Sequence, residues 1–216
     1  MLNGVQLYTM SMHTDTSPAP ARPEQSSRGS SRNRLQDLAL IAVFAALIIV
    51  LAFVQIPVGT AGVPIVLQNA AVVLAGLVLG PRRGFLAVLL FLALGMIGLP
   101  VLAGGRTTIA ALAGITVGYI VGYLISAFIT GLIAYRAPRK RGIGMFAVFG
   151  LAALAGLATQ YLSGIVGMVL RGGLSFAEAT LAQVPFILPD LGKFALMVAI
   201  AAGVHAAIPD LRRRGH

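Results

Sequence analysis

Between residues 38 and 208 the chain returns repeatedly to apolar stretches without charge, far more of them than one water-soluble core can bury. A bilayer accepts them. A helix of about 20 apolar residues, with a usable range near 17 to 25, crosses the hydrocarbon layer with its backbone polar groups satisfied internally. Such spans are read at approximately 38–54, 66–80, 84–99, 108–134, 143–170 and 185–208, the second and third short and bounded by Gly and Pro. The expected fold class is therefore all-α: an integral membrane bundle of six transmembrane helices. The second and third spans are counted separately because the turn Gly80-Pro-Arg-Arg-Gly84 carries two cations that prefer water. Composition agrees, with 58% hydrophobic and 10% charged residues, where soluble domains carry about a quarter charged.

The formal charge of +10 follows the span ends. Arg22, Arg28, Arg32 and Arg34, then Arg82 and Arg83, then Arg136, Arg139, Lys140 and Arg141, then Arg212, Arg213 and Arg214 fall on one side. Only Arg106 and Arg171 fall on the other, and Lys193 lies within a span. Positive-inside logic places both termini in the cytoplasm. A nucleic-acid footprint would instead gather on one soluble face, so nucleic acid is not an expected partner. Residues 1–33 are polar, rich in Ser, Pro and Arg, and lack the apolar core of a signal peptide. They read as a disordered tail, with Met1, Met10 and Met12 as possible starts. Residues 34–211 form the membrane domain and 212–216 a basic tail. The external connections, 55–65, 100–107 and 171–184, are low in charge and rich in Gly, Pro or Thr, which suits loops folding over a site.

Much chemistry is excluded. Cysteine is absent, which removes disulfides, thiolate metal sites and a cysteine nucleophile. Gly192-Lys193 is followed by Phe194, so no P-loop is present. His13 and His216 lie in the tails and His205 stands alone near the end of the last span, so no metal cluster assembles. No cofactor and no enzymatic activity are expected. Inverted repeats are not evident, and six short spans are few for alternating access. A substrate-capture subunit working with partners fits these limits, although a homo-oligomer would also supply the missing mass.

Asp190 and Lys193 interrupt the last span, three residues apart and therefore on one helix face. A charge at mid-membrane costs roughly 2.5 to 3.5 kcal/mol on insertion scales and usually faces a cavity, a partner or a substrate route. Two readings stay open: a structural pair that neutralises itself, or a polar ligand site. Gly114, Gly118 and Gly122 form a small-residue ladder for close helix contact. Tyr119 and Tyr123 follow two of these glycines and either flank packing or aim hydroxyls into a cavity. Ala42 and Ala46 make a similar patch in the first span, for internal packing or for docking another membrane protein.

Several motifs together resemble the BioY family, the biotin-specific substrate-binding (S) components of energy-coupling factor (ECF) transporters. They are Pro64-Ile-Val-Leu-Gln68, Leu74-Ala-Gly-Leu-Val-Leu-Gly-Pro-Arg-Arg-Gly84, Gly95-Met-Ile-Gly-Leu-Pro-Val-Leu-Ala-Gly-Gly105, Gly114-Ile-Thr-Val-Gly-Tyr119 and Pro185-Phe-Ile-Leu-Pro-Asp-Leu-Gly-Lys193. The resemblance covers about residues 35 to 208. It implies a multi-pass protein of a prokaryotic cytoplasmic membrane that captures biotin from outside. It also implies an Asp and a Lys on the ligand, matching Asp190 and Lys193. Ala42 and Ala46 match the pattern by which S components meet a transmembrane coupling subunit, beneath which two ATPase subunits supply energy. Departures occur where Gly-Gly-x-Gly-Gly reads Gly104-Gly-Arg-Thr-Thr108, where Gly-Pro-Thr reads Gly114-Ile-Thr116, and where Pro189 replaces a Gly. The first puts loop flexibility in question. The proline is expected to bend or start the helix just before Asp190.

Biotin joins a carboxylate tail to an apolar middle and a ureido head with two N–H donors and one carbonyl acceptor. A site for it needs cations, an acceptor and apolar or aromatic walls. By donor and acceptor logic, Asp190 accepts from ureido N–H while Lys193 donates to the carboxylate or the ureido oxygen. Arg106 either closes over the carboxylate or sits in solvent. Gln68 and Asn69 either bond the ligand head or satisfy backbone groups, and Thr107, Thr108 and Gln160 are weaker candidates. Thiamine or riboflavin capture and a self-sufficient oligomeric biotin carrier are the rival readings.

Overall fold

The computed structural model describes residues 25–56, 65–138, 142–208 and 211, with side chains from residue 34 onward. In order they form α1 (Gln25–Ala52), β1 (Gln55–Ile56), β2 (Ile65–Val66), α2 (Gln68–Met96), a 3-10 turn (Ala103–Gly105), α3 (Thr108–Ala113), α4 (Val117–Ala134), α5 (Ile143–Gly172), α6 (Phe176–Leu181) and α7 (Val184–Ala207). Among the described residues the architecture is helical apart from a short antiparallel ladder, Gln55 opposite Val66 and Ile56 opposite Ile65, and an isolated bridge between Leu102 and Arg106. Helix α1 starts inside the segment read as a polar tail. Pro64, Arg139, Lys140, Arg141 and Arg212 to Arg214 lie outside the described residues.

Among the described residues, five helical segments are long and apolar enough to cross a membrane: Arg34–Ala52, Gln68–Met96, Val117–Ala134, Ile143–Gly172 and Phe176–Ala207. The spans expected at 66–80 and 84–99 belong to one element, α2, broken at Gly80, whose φ of 81° and ψ of −176° only glycine adopts readily. The chain folds back there. A Cβ built on Gly84 would lie 3.0 Å from the Cα of Gly76, eight positions earlier, whereas a straight helix would separate those residues by about 12 Å. The first arm, residues 68–79, is therefore about 18 Å long and does not cross the hydrocarbon layer unaided. Its N-terminus starts inside the bundle, which places Gln68 and Asn69 at depth.

The span expected at 108–134 is also divided. Gly114 ends α3, and α4 begins at Val117, so Gly114 drops out of the glycine ladder. A Cβ there would meet nothing closer than 3.6 Å. Gly118 and Gly122 do the close packing instead, against Ser163, Gly167 and Gln160 of α5. Lipid removes the hydrophobic drive between helices, so such close approach of small residues carries the association. Gly76 likewise admits the α4 backbone, 2.5 Å from a built Cβ to the Ala127 carbonyl oxygen.

One end of the bundle is fixed by polar ties. Arg83 pairs with Asp37 of α1 at 3.0 Å, and the Tyr135 hydroxyl donates to the Val78 carbonyl at 2.9 Å. These join the middle of α1, the residues on either side of the Gly80 break and the end of α4. His205 is buried against Phe149 and Tyr135, with Nε2 donating to the Leu77 carbonyl at 2.9 Å. His205 thus packs within the core. The apolar core runs along α2, with Val73, Leu77, Phe149, Phe194 and Met197 in one cluster and Val72, Val88, Phe91 and Ala127 in another.

Candidate functional site

At the opposite end from Arg83, a cavity of about 560 Å³ lies between α2, α4, α5 and α7. Its size falls in the range of small-molecule sites, about 300 to 1,000 Å³. Asp190 and Lys193 line it, together with Gln68, Asn69, Arg106, Tyr119 and Tyr123. All seven candidate ligand residues thus meet in one space although they come from four separate segments. Ala42 and Ala46 do not belong to it. Both are exposed on α1.

Helix α7 begins at Val184 with Pro185 in its first turn, where a missing N–H costs nothing. Pro189 therefore lies inside the helix and does not start it, and it deprives the Pro185 carbonyl of its helical donor. Asp190 follows, about 9 Å along the axis from Val184. It is 2% exposed, so its charge must be met by the protein. Lys193 Nζ lies 2.5 Å from Oδ1, and the Tyr161 hydroxyl donates to Oδ2 at 2.7 Å. Lys193 also donates to the Val66 carbonyl at 2.7 Å and to Asn69 Oδ1 at 3.0 Å. An ammonium has three protons, and two of them go to Val66 and Asn69, while the contact with Asp190 is an ion pair whose Oδ1 receives no aligned hydrogen bond. Asp190 keeps accepting capacity, since a carboxylate offers about four lone-pair positions and Tyr161 engages one.

The remaining polar residues divide by task. Gln68, 1% exposed, donates to the Val101 carbonyl at 2.9 Å and ties the first arm of α2 to the segment before the 3-10 turn. Gln160 Nε2 donates to the Asn69 carbonyl at 3.2 Å and to Ser126 Oγ at 3.0 Å, bridging α5 to α2 and α4 while lining the cavity. Arg106 stands at the exposed rim, its Nε 3.4 Å from the Ala103 carbonyl and its Nη1 3.5 Å from Thr116 Oγ1. The left-handed positions of this loop fall on Gly104 and Gly105. Thr107 has extended dihedrals that any residue adopts and Thr108 is the first residue of α3, so losing the later glycines of the motif introduces no strain. Thr107 and Thr108 lie outside the cavity lining. Thr107 caps α3 by accepting from the Ala110 N–H at 3.2 Å, and Thr108 is buried against Gly95.

Tyr119 stands over Gly164, where a Cβ would run into its ring, and Tyr123 packs on Phe91 with centroids 6.4 Å apart. Sequence reasoning missed Tyr161, Met168, Gln183 and Phe186, which complete the wall. Gln183 was legible only as a lone amide before an apolar run. Tyr161 meets Asp190 across 29 positions of sequence, a pairing that no local signal encodes.

With this geometry the comparisons are decisive. A family model described as BioY family matches residues 23–210. This chain belongs to the BioY family. A relative from Rhodobacter capsulatus named biotin transporter BioY is 46% identical over 176 residues, covering 77% of this chain and 91% of the relative. A BioY protein of the same name from Rhizobium etli is 38% identical over 183 residues, covering 83% and 98%. The fold matches a crystal structure of the S-component for biotin from an ECF-type ABC transporter, with TM-score 0.73, 30% identity, and 81% of this chain and 93% of that one covered. BioY proteins are transport components and not enzymes.

Proposed function

We propose that this chain captures biotin and delivers it across the membrane as the substrate-specific S component of an ECF-type transporter. The observation that carries the reading is the buried Asp190–Lys193 pair facing a cavity walled by tyrosines and apolar side chains. Its donors and acceptors suit a ureido head, and Arg106 at the rim suits a carboxylate tail. The vitamin test is direct. Only a true ligand raises the melting temperature by mass action, by the equivalent of about 2.7 kcal/mol at a hundred times Kd. Biotin is expected to stabilise the purified protein in detergent, while thiamine and riboflavin leave it unmoved. Stabilisation by thiamine or riboflavin alone would end the biotin assignment.

The finer arrangement follows from the same reading. We infer six membrane segments, the two arms of α2 counted separately although the first is too short to span the hydrocarbon layer alone, because Gly84 packs back on Gly76. Both termini then lie on the cytoplasmic side of a prokaryotic membrane with the Arg82–Arg83 turn, and the cavity faces outward. Residues 34–211 act as the membrane unit, and exposed apolar side chains such as Leu38, Val43 and Leu154 face lipid. Ala42 and Ala46, exposed on α1, form the seat for a coupling subunit that recruits two ATPases. Replacing both by Leu is expected to leave biotin binding unchanged while preventing co-purification with the coupling subunit. Full co-purification of that variant would exclude this face.

A further inference from the structure

Gln183, which precedes α7, is 4% exposed and lines the cavity beside Tyr119 and Met168. Its Nε2 donates to the Ala179 carbonyl at 3.1 Å and lies 3.7 Å from Met168 Sδ. A carbonyl oxygen only accepts, so the amide nitrogen must be the atom on that side. Oε1 is thereby turned toward Tyr119, whose hydroxyl hydrogen-bonds to it. A phenol has one proton. With that proton held by Gln183, the Tyr119 oxygen offers the cavity lone pairs alone. Tyr161 is in the same condition, because its proton goes to the Asp190 carboxylate.

We propose that Gln183 is a specificity-determining residue: by holding the Tyr119 proton it fixes the hydrogen-bond polarity of this wall, so the site takes a ligand head bearing N–H donors and rejects isosteres that bring only acceptors. The inference rests on the biotin reading and deepens it. A buried acceptor facing another acceptor leaves both unsatisfied, and sites built to bond a donor discriminate against its absence more strongly than apolar pockets discriminate by size. Reversing the polarity would require Tyr119 to abandon Gln183, leaving Oε1 buried without a donor.

The experiment is calorimetric titration of the full chain in detergent with biotin and with biotin methylated on its ureido nitrogens, read as the ratio of the two Kd values. Gln183→Leu is expected to weaken biotin about three- to tenfold, the worth of one neutral hydrogen bond, and to narrow the ratio by a similar factor because the freed hydroxyl can turn its proton to the ligand. Gln183→Glu, which as the neutral acid donates to the Ala179 carbonyl and still accepts from Tyr119, is expected to keep the ratio of the unaltered chain. If Gln183→Leu does not fold, Tyr119→Phe decides, since it removes the acceptor with Gln183 intact and must narrow the ratio too. An unchanged ratio in the folded Leu or Phe variant overturns the proposal, as does a ratio in Gln183→Glu that falls to the Leu level. Failure of the unaltered chain to bind biotin overturns the functional reading beneath it and is seen before any variant is made.

Discussion

Asp190→Asn and Lys193→Met are each expected to weaken biotin binding by about ten- to a hundredfold, because on the proposed reading each removes a charge-assisted hydrogen bond, worth about 1.5–3 kcal/mol, at a site where water cannot substitute. Their effects on the ligand-free protein differ. Lys193→Met leaves the Asp190 carboxylate, 2% exposed, with only the Tyr161 donor. Stranding one member of a buried ion pair costs about 3–5 kcal/mol. Asp190→Asn removes the negative charge but keeps an oxygen that can accept from Tyr161, and Lys193 retains Val66 and Asn69. The double variant should therefore melt above Lys193→Met alone, since no lone charge remains. Calorimetry with biotin and thermal melting without it separate the two effects. Biotin binding that survives undiminished in both single variants would mean that the pair is structural and the site lies elsewhere.

Gly118→Ala is expected to be the most damaging small substitution in the bundle. A Cβ there would overlap the Ser163 carbonyl oxygen and lie 2.8 Å from its carbonyl carbon and 2.9 Å from the Cα of Gly167. These are backbone atoms, so no rotamer change relieves the contact, and α4 must move off α5. Overpacking of this kind costs about 1–3 kcal/mol. Because Tyr119 and Tyr123 ride on α4, the displacement also reaches the cavity, and biotin binding should fall about tenfold or more. Gly203→Ala is the control. A Cβ there meets nothing within 4 Å, and replacing an exposed helical glycine gains up to about 1 kcal/mol. Equal melting temperatures for the two alanine variants would show that the α4–α5 approach is looser than its geometry implies.

The long apolar stretches announced α1, α5 and α7, and the glycine spacing announced close packing that holds at Gly118 and Gly122 and not at Gly114, while the Ala42 and Ala46 spacing left packing and exposure undecided. The break between α3 and α4 was not announced, because residues 108–134 contain no charge to mark it. Its signals were local and weak: Thr107 accepts from the third N–H beyond it, and Gly114 closes the short helix. Helix α6 was written more plainly, as Ser175 and Glu178 form a reciprocal cap, with the Ser175 N–H and hydroxyl both donating to the Glu178 carboxylate. All seven candidate ligand residues reached the cavity, yet Tyr161 and Gln183, which orient the groups there, stayed hidden because their partners lie 29 and 64 positions away.

The sequence by itself determined that the chain enters a bilayer and that an acid and a base share one face of its last helix, since both follow from local hydropathy and from the 3.6-residue helical repeat. Tertiary structure alone decided that Lys193 also donates to Val66 and Asn69, that Tyr161 holds Asp190, and that two phenols face the cavity as acceptors. Those outcomes depend on how closely small residues let neighbouring helices approach, and hydrogen-bond direction is set by which groups that approach brings within about 3 Å.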